Sequence, residues 1–336
     1  MKTGNRVANT GSNSRNIINH ITRNIINHII SNTTSIEYMK LKEIKSFLEG
    51  MAPLAVQESW DNSGLQIGCS DKDIHKVMVC LDLTEAVLDE AEAIGADLVI
   101  SHHPLIFKGL KSISGSTYQE RCVRKAILSD IAVYSAHTSL DNILGGVNHK
   151  IASLLGLSSL RWLDSGESAE GCDEKCGGAA EKSCGEGAEG KCGGATEEKC
   201  GGVDAVARSS GSGLIGELKE PVAAAEFLST VKTIFGVKAL KHSPLSSTTT
   251  IRSIALCGGA GAFLLPQAVA KGADCFISGE FHYHDYFDPG TLLIELGHYE
   301  SEQFTQDLLK ESLEKAFPGL EIVKTSVNTN PQEWLI

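Results

Sequence analysis

The sequence predicts an α/β fold of two duplicated lobes, each a mixed sheet flanked by helices. Short apolar runs alternate with helical patterns, one eleven-residue stretch recurs in the second half of the chain, and the strand-like runs end in clusters of His, Asp and Glu. At 336 residues the chain has room for roughly two domains.

Residues 1–38 stand apart. They carry no acidic side chain before Ser35 and contain Arg-Asn-Ile-Ile-Asn-His-Ile twice, at 15–21 and 23–29. The isoleucines are interrupted by Asn, His and Arg, so no secretion signal is formed, and a disordered extension is expected, with an organelle-type presequence as the alternative. The compact protein then starts near Met39. Lys76 to Asp82 reads as a strand, Thr84 caps a helix to about Ile94, and Asp97 to Ser101 is the next strand. Ile131 to Ala136 follows, ending at His137. Beyond residue 204 come a strand from Ile251 to Cys257, a glycine-rich turn, a helix to about Ala270, a strand from Asp274 to Ser278, and a helix opening at Gly297 and running through Leu309. The lobes are expected over 39–163 and 205–336.

The segment between them, 164–204, has a different composition. It holds eleven acidic residues against four lysines, accounting for minus seven of the net charge of minus twelve. Cys172, Cys176, Cys184, Cys192 and Cys200 lie among glycines with no aromatic residue. Such a stretch cannot bury enough apolar surface to offset its ordering entropy, so a mobile insert is expected. Its eight-residue cysteine spacing does not match the close pairs of structural zinc sites. A redox-sensitive loop is the primary expectation and metal capture the alternative. The remaining charge shows no basic stripe for nucleic acid, and no apolar run approaches the roughly 18 to 20 residues of a membrane span. A cytoplasmic protein is expected.

Ala91 to Ser101 reads AEAIGADLVIS and Ala268 to Ser278 reads AVAKGADCFIS, with seven of eleven positions identical. Each is a helix end, a Gly-Ala-Asp turn and a strand. The first copy delivers His102-His103-Pro104, and the second delivers Glu280, His282, His284 and Asp285, expected to contact substrate, with a polar loop at the cleft rim as the alternative. Ligands gather at the carboxyl ends of strands in open α/β sheets. Adjacent residues on a regular strand point to opposite faces, so two neighbouring imidazoles serve one site only if the chain turns or the site holds two metals. A dinuclear site in the cleft between the lobes is therefore the hypothesis to test. His137 and Asp141, and His298 and Glu302, are each four apart, the spacing that sets two side chains on one helix face. Gly258-Gly-Ala-Gly261 could present N–H groups to a phosphate, with tight strand-to-helix packing as the alternative. Asp61 and Asn62 are read as local hydrogen-bonding residues.

From Met39 to the carboxyl terminus, apart from the insert, the chain resembles the NIF-three-like family, the GTP cyclohydrolase 1 type 2 homologues. The resemblance is carried by Glu58-Ser-Trp-Asp-Asn-Ser-Gly-Leu-Gln-Ile-Gly68, Ser101-His-His-Pro-Leu-Ile-Phe107, His137-Thr-Ser-Leu-Asp-Asn142 and Gly297-His-Tyr-Glu-Ser-Glu302. It implies a toroidal homohexamer and, in each subunit, two divalent metal ions held by His102, His103, Asp141, His298 and Glu302. Imidazole and carboxylate donors suit zinc, manganese, iron or nickel. The implied reaction is hydrolytic opening of the imidazole ring of GTP, with release of formate and formation of dihydroneopterin triphosphate. Catalytic roles are expected for Glu302 and for His137, the latter either orienting Asp141 or acting as an acid or base. Another hydrolase activity, on phosphoesters or amides, would use the same groups, and a non-catalytic metal-binding or interaction protein would retain the ligands.

Overall fold

A computed structural model describes residues 38–165, 210–245 and 249–335. The expected extension up to residue 37 and the Cys/Gly-rich segment from 166 lie outside the described residues. All elements below belong to the unit Met39–Ile336. In its first half, β1 (Met39–Lys40), α1 (Leu41–Met51), β2 (Gly64–Ile67), β3 (Asp73–Ile74), β4 (Lys76–Cys80), α2 (Glu85–Ile94), β5 (Leu98–Ser101), α3 (Tyr118–Leu128) and β6 (Ala132–Ser135) are followed by two short helices, α4 (Thr138–Asp141) and α5 (Val147–Leu154). Next come β7 (Ser158–Asp164), β8 (Ser212–Ala223), α6 (Ala224–Phe235), β9 (Lys241–His242) and β10 (Thr250–Cys257). The chain continues with α7 (Leu265–Ala270), β11 (Cys275–Ser278), β12 (Leu292–Glu295), α8 (His298–Glu302), α9 (Thr305–Ala316) and β13 (Glu321–Lys324).

Two mixed sheets result. One has the order β13-β4-β5-β6-β2, with β2 antiparallel at its edge; the other has the order β7-β8-β10-β11-β12-β9, with β10, β11 and β12 parallel. The sheets do not divide at the expected lobe boundary. β7, placed by sequence in the first lobe, pairs antiparallel with β8 across the Cys/Gly-rich segment, and β13, from the end of the chain, lies parallel to β4 in the first sheet. Both strands satisfy their backbone groups on the sheet that their apolar residues cover, Leu163 on one and Ile322 on the other.

The central strands are buried on both faces, which is why they read as continuous apolar runs. Val77 and Val79 of β4 face a core shared with Ile254 and Leu256 of β10, Ile277 of β11 and helices α1, α5, α6 and α9. Met78 and Cys80 face the opposite way, onto Val87 and Leu88 of α2 and Cys122 and Val123 of α3. On the second sheet, Ala255, Phe276 and Leu293 turn outward onto Ala268 of α7.

The recurring segments occupy matching positions. Gly95 and Gly272 adopt φ of 69° and 70°, the left-handed turn that ends each helix. Asp97 then accepts hydrogen bonds from the backbone N–H groups of His75 and Lys76, and Asp274 accepts them from Arg252 and Ser253. Each Asp thus clamps the start of the neighbouring parallel strand. The helix expected from Gly297 through Leu309 is broken at Gln303–Phe304, where Phe304 packs edge-on against Phe235 of α6 and the Gln303 amide donates to the Phe235 carbonyl. Packing on α6 wins over helix continuity. Among the described residues no helix is long and apolar enough to cross a membrane.

Candidate metal centre

The carboxyl ends of the parallel strands in both sheets converge on one cavity of about 720 Å³. β4 leads to Asp82, β5 to His102 and His103, β6 to His137, β11 to Glu280, and β12 to Gly297 and His298. After Ser101 the chain bends: the N–H groups of His102 and His103 both donate to the Leu81 carbonyl, and the two rings stand 4.9 Å apart. The bend lets adjacent imidazoles reach one site, each toward a different set of partners.

Those sets share Glu302. His102 Nε2 lies 3.7 Å from Asp141 Oδ1 and 3.7 Å from Glu302 Oε1. On the other side, Glu302 Oε2 lies 3.1 Å from His103 Nε2 and 3.3 Å from His298 Nε2, and these two nitrogens are 3.3 Å from each other. Two three-residue groups of potential ligands, His102-Asp141-Glu302 and His103-His298-Glu302, thus meet at one carboxylate, with His137 in a third group beside His102 and His103.

All five residues expected as ligands come together, as does His137. The separations bear on whether a cation fits. At 3.7 Å neither oxygen hydrogen-bonds His102 Nε2, so this nitrogen and Asp141 Oδ1 are buried without a partner. Ligands at about 2.1 Å from a tetrahedral ion stand about 3.4 Å apart, close to the spacing found in both groups. Burying such atoms unpaired costs free energy, and a cation between them removes that cost.

The outer shell fits the same use. Every imidazole of the cluster has its Nδ1 engaged: His102 by the Ala136 carbonyl at 2.7 Å, His103 by Asp82 at 2.7 Å, His137 by Asp61 at 2.7 Å and His298 by Glu280 at 2.9 Å. Such partners hold the proton on Nδ1 and leave the Nε2 lone pair for an ion. The carboxylates Asp61, Asp82 and Glu280 were not read from the sequence in these roles. Asp82 has a local signal, since it follows β4 at the same sheet edge that delivers the histidines. Asp61 has none, because its bond to His137 spans 76 positions. His137 is therefore oriented by Asp61, not paired to Asp141 as one expectation had it. Asp61 also accepts from Ser63 Oγ and from the N–H and hydroxyl of Thr138. Burial works against its charge, but the His137 bond and charge hold its carboxyl below the usual range.

The metal-free cluster balances its charge with protons. Burial would lower His103, yet its hydrogen bonds to Asp82 and Glu302 outweigh this and bring it to about 10. His298 is likewise brought to about 9, chiefly through Glu302. Burial would raise Glu302, but the surrounding imidazoles hold it well below the ordinary carboxylate range. Cations bound here would displace those protons.

Two expectations are corrected. The three glycine N–H groups of the Gly258–Gly261 turn are not free for phosphate: Gly258 donates to Asn148 Oδ1, Gly259 to Ser301 Oγ and Gly261 to Ser278 Oγ. The glycines serve close packing, since a Cβ on Gly259, at φ +59°, would stand 2.4 Å from Glu302 Oε1. His282, His284 and Asp285 are not in the cavity wall; the His282 N–H and Asp285 close a capping interaction over a short 3₁₀ turn, leaving Glu280 as the residue of that loop at the site.

Comparison with known proteins agrees with this architecture. The family model described as Duf34/NIF3 (NGG1p interacting factor 3) matches residues 39–331. A GTP cyclohydrolase 1 type 2 homolog of Clostridium perfringens is 32% identical over 267 residues, which cover 79% of this chain and 87% of the relative. One from Lactococcus lactis is 30% identical over 298 residues, covering 87% and 98%. The crystal structure of a Bacillus cereus protein related to NIF3 superposes with a TM-score of 0.70 at 26% identity, covering 89% of this chain and all of that one.

Proposed function

This chain belongs to the Duf34/NIF3 family, and on that premise we propose that it is a metal-dependent hydrolase of a small heterocyclic molecule, working through two divalent cations. His102, Asp141 and Glu302 Oε1 would hold one ion, and His103, His298 and Glu302 Oε2 the other. The observation that carries this is the division of one buried carboxylate between two imidazole groups, with each Nδ1 anchored outside the cluster and the Nε2 atoms of His102, His103 and His298 turned toward Glu302. The donor set suits zinc, manganese, iron(II) or nickel.

Bound cations would supply Lewis acidity and lower the pKa of water toward neutrality. The chain's own groups supply the rest. Glu302, buried between the two groups, would hold both ions, one on each carboxylate oxygen. His137, with Nδ1 held by Asp61, offers Nε2 at the cavity side as a proton acceptor or donor. Trp60, Phe107 and Phe263 line the cavity with exposed aromatic surface for the reacting molecule to rest on.

The names of the curated relatives support a finer reading, the ring opening of GTP. Metal-loaded chain incubated with GTP should then release formate and, after oxidation, yield a fluorescent pterin, and Glu302→Ala should do neither. Release of phosphate alone would instead favour a phosphoesterase, and two ions bound per chain with no turnover would favour a binding role. We also propose that the two lobes are copies of one ancestral unit, on the matched Gly and Asp positions, and, by family resemblance, that the chain forms a homohexamer, testable by light scattering.

A further inference from the structure

The motif Glu58 to Gly68 brings more to the cavity than Asp61. Glu58 and Trp60 both line it. Glu58 Oε1 accepts hydrogen bonds from the Asn142 amide and the Ser212 hydroxyl, each at 3.2 Å, and among the described residues no hydrogen bond reaches Oε2. The carboxylate is thus held in place with acceptor capacity remaining for a ligand. Trp60 and Phe107 stand at the mouth, 57% and 43% exposed, with ring centroids 5.7 Å apart and planes tilted by 54°, so a flat ring can lie face-on to one of them with the other at its edge. Large aromatic surfaces left open at a concave site offer a stacking platform for a flat ring.

Charge decides what such a ring carries. Five carboxylates line the cavity, Glu58, Asp82, Asp141, Glu280 and Glu302, and no Lys or Arg does among the described residues. Two divalent cations would still leave this wall net negative. Glu58, Asp82 and Glu280, the carboxylates outside the two ligand groups, would repel a polyphosphate chain lying along the wall within the roughly 8 Å over which salt screens charge. The turn best shaped to cradle a phosphate, Gly258–Gly261, has spent three of its four N–H groups on Asn148, Ser301 and Ser278, which leaves it only that of Ala260. A phosphate sitting on the cations themselves would keep the ring from reaching them.

We propose that the cavity recognises an uncharged, flat nitrogen heterocycle, stacked on the face of Trp60 with Phe107 against its edge and its N–H donors read by Glu58, and that any phosphate chain on such a molecule stays outside and adds nothing to its affinity. The inference rests on the metal-dependent reading for what then happens to the ring, but its recognition half stands on Glu58 and the aromatic rings alone.

Calorimetric titration of the full-length, zinc-loaded chain with guanosine and with magnesium-complexed GTP tests it, with metal content measured before and after each titration. Guanosine should bind at least as tightly as GTP. Glu58→Gln keeps one oxygen for Asn142 and Ser212 but turns an acceptor into a donor, so guanosine should weaken by about tenfold or more, with metal content unchanged; Trp60→Ala should weaken it as well. GTP binding about tenfold tighter than guanosine would overturn the proposal, as would guanosine affinity unaffected by Glu58→Gln, or no binding of guanosine to the loaded chain. The two proposals fail separately. A chain that takes up no divalent metal yet binds guanosine through Glu58 refutes the metal centre and upholds the recognition; a chain that holds two ions but ignores guanosine does the reverse.

Discussion

Replacing Gly259 by Ala probes the close approach of the backbone to Glu302. The added Cβ would lie 2.4 Å from Glu302 Oε1, which is 0.6 Å inside the 3.0 Å limit of real Cβ contacts, and 3.1 Å from its Cδ. Glu302 has little freedom to retreat, because it is buried against three imidazoles. The φ of +59° adds about 1 kcal/mol of backbone cost for a residue with a Cβ, and forced overpacking adds about 1 to 3 kcal/mol. Gly95→Ala separates the two costs: it has φ +69° and nothing within 4 Å of the added carbon, so it carries the backbone cost alone. Denaturant unfolding of the metal-free variants should therefore place Gly259→Ala below Gly95→Ala by about 1 to 3 kcal/mol. Metal titration should show Gly259→Ala weakened at both ion sites, since both use Glu302, and Gly95→Ala unchanged. Equal destabilisation in the two variants, with wild-type metal affinity in both, would refute the close-approach argument.

Further outcomes follow from the surrounding shell. Asp82→Ala removes the acceptor of the His103 Nδ1 proton, and chelator competition should show one of two ions bound about tenfold to a hundredfold more weakly; equal loss at both sites would mean strong coupling through Glu302. In the metal-free chain the raised values of His103, about 10, and His298, about 9, stabilise the fold fully below their ordinary value of 6.5, and that contribution is lost as pH rises through 9 to 10. Melting temperature of the metal-free chain should thus fall between pH 6.5 and 10, and that of the loaded chain should not fall for this reason; calorimetry in buffers of different ionisation enthalpy should register proton release on metal binding at pH 7. Glu120 accepts from the Ser114 hydroxyl and from the N–H groups of Ser116, Gly115 and Ser114 and is held down to about 2, so its hold on that loop is present above about 4.5 and lost as pH falls through about 2. Glu120→Ala should speed amide exchange at Ser114–Ser116 at neutral pH; unchanged exchange would show that the loop is held by other contacts.

Much of the candidate site was legible because the residues expected as ligands sit at strand and helix ends, where local patterns are strong. His102 and His103 follow an apolar strand, and His298 and Glu302 share one helical turn. The carboxylates that orient the imidazoles were not legible in that role: Asp61 and His137 are 76 positions apart and His103 and Asp82 are 21 apart, and no periodicity links such pairs. The Gly258–Gly261 turn shows the opposite failure, a strong local pattern with the wrong use, since only the packed neighbours Asn148, Ser278 and Ser301 reveal where its N–H groups go.

What the sequence by itself determined is the alternation of strands and helices, the paired Gly-Ala-Asp turns and the residue types at each strand end, because those follow from short-range periodicity and backbone preference. Only the tertiary structure decided that β13 completes the first sheet, that β7 joins the second, and that Glu302 stands between two imidazole groups. These depend on which distant faces bury one another, and burial against a distant partner leaves no mark in the local order of residues.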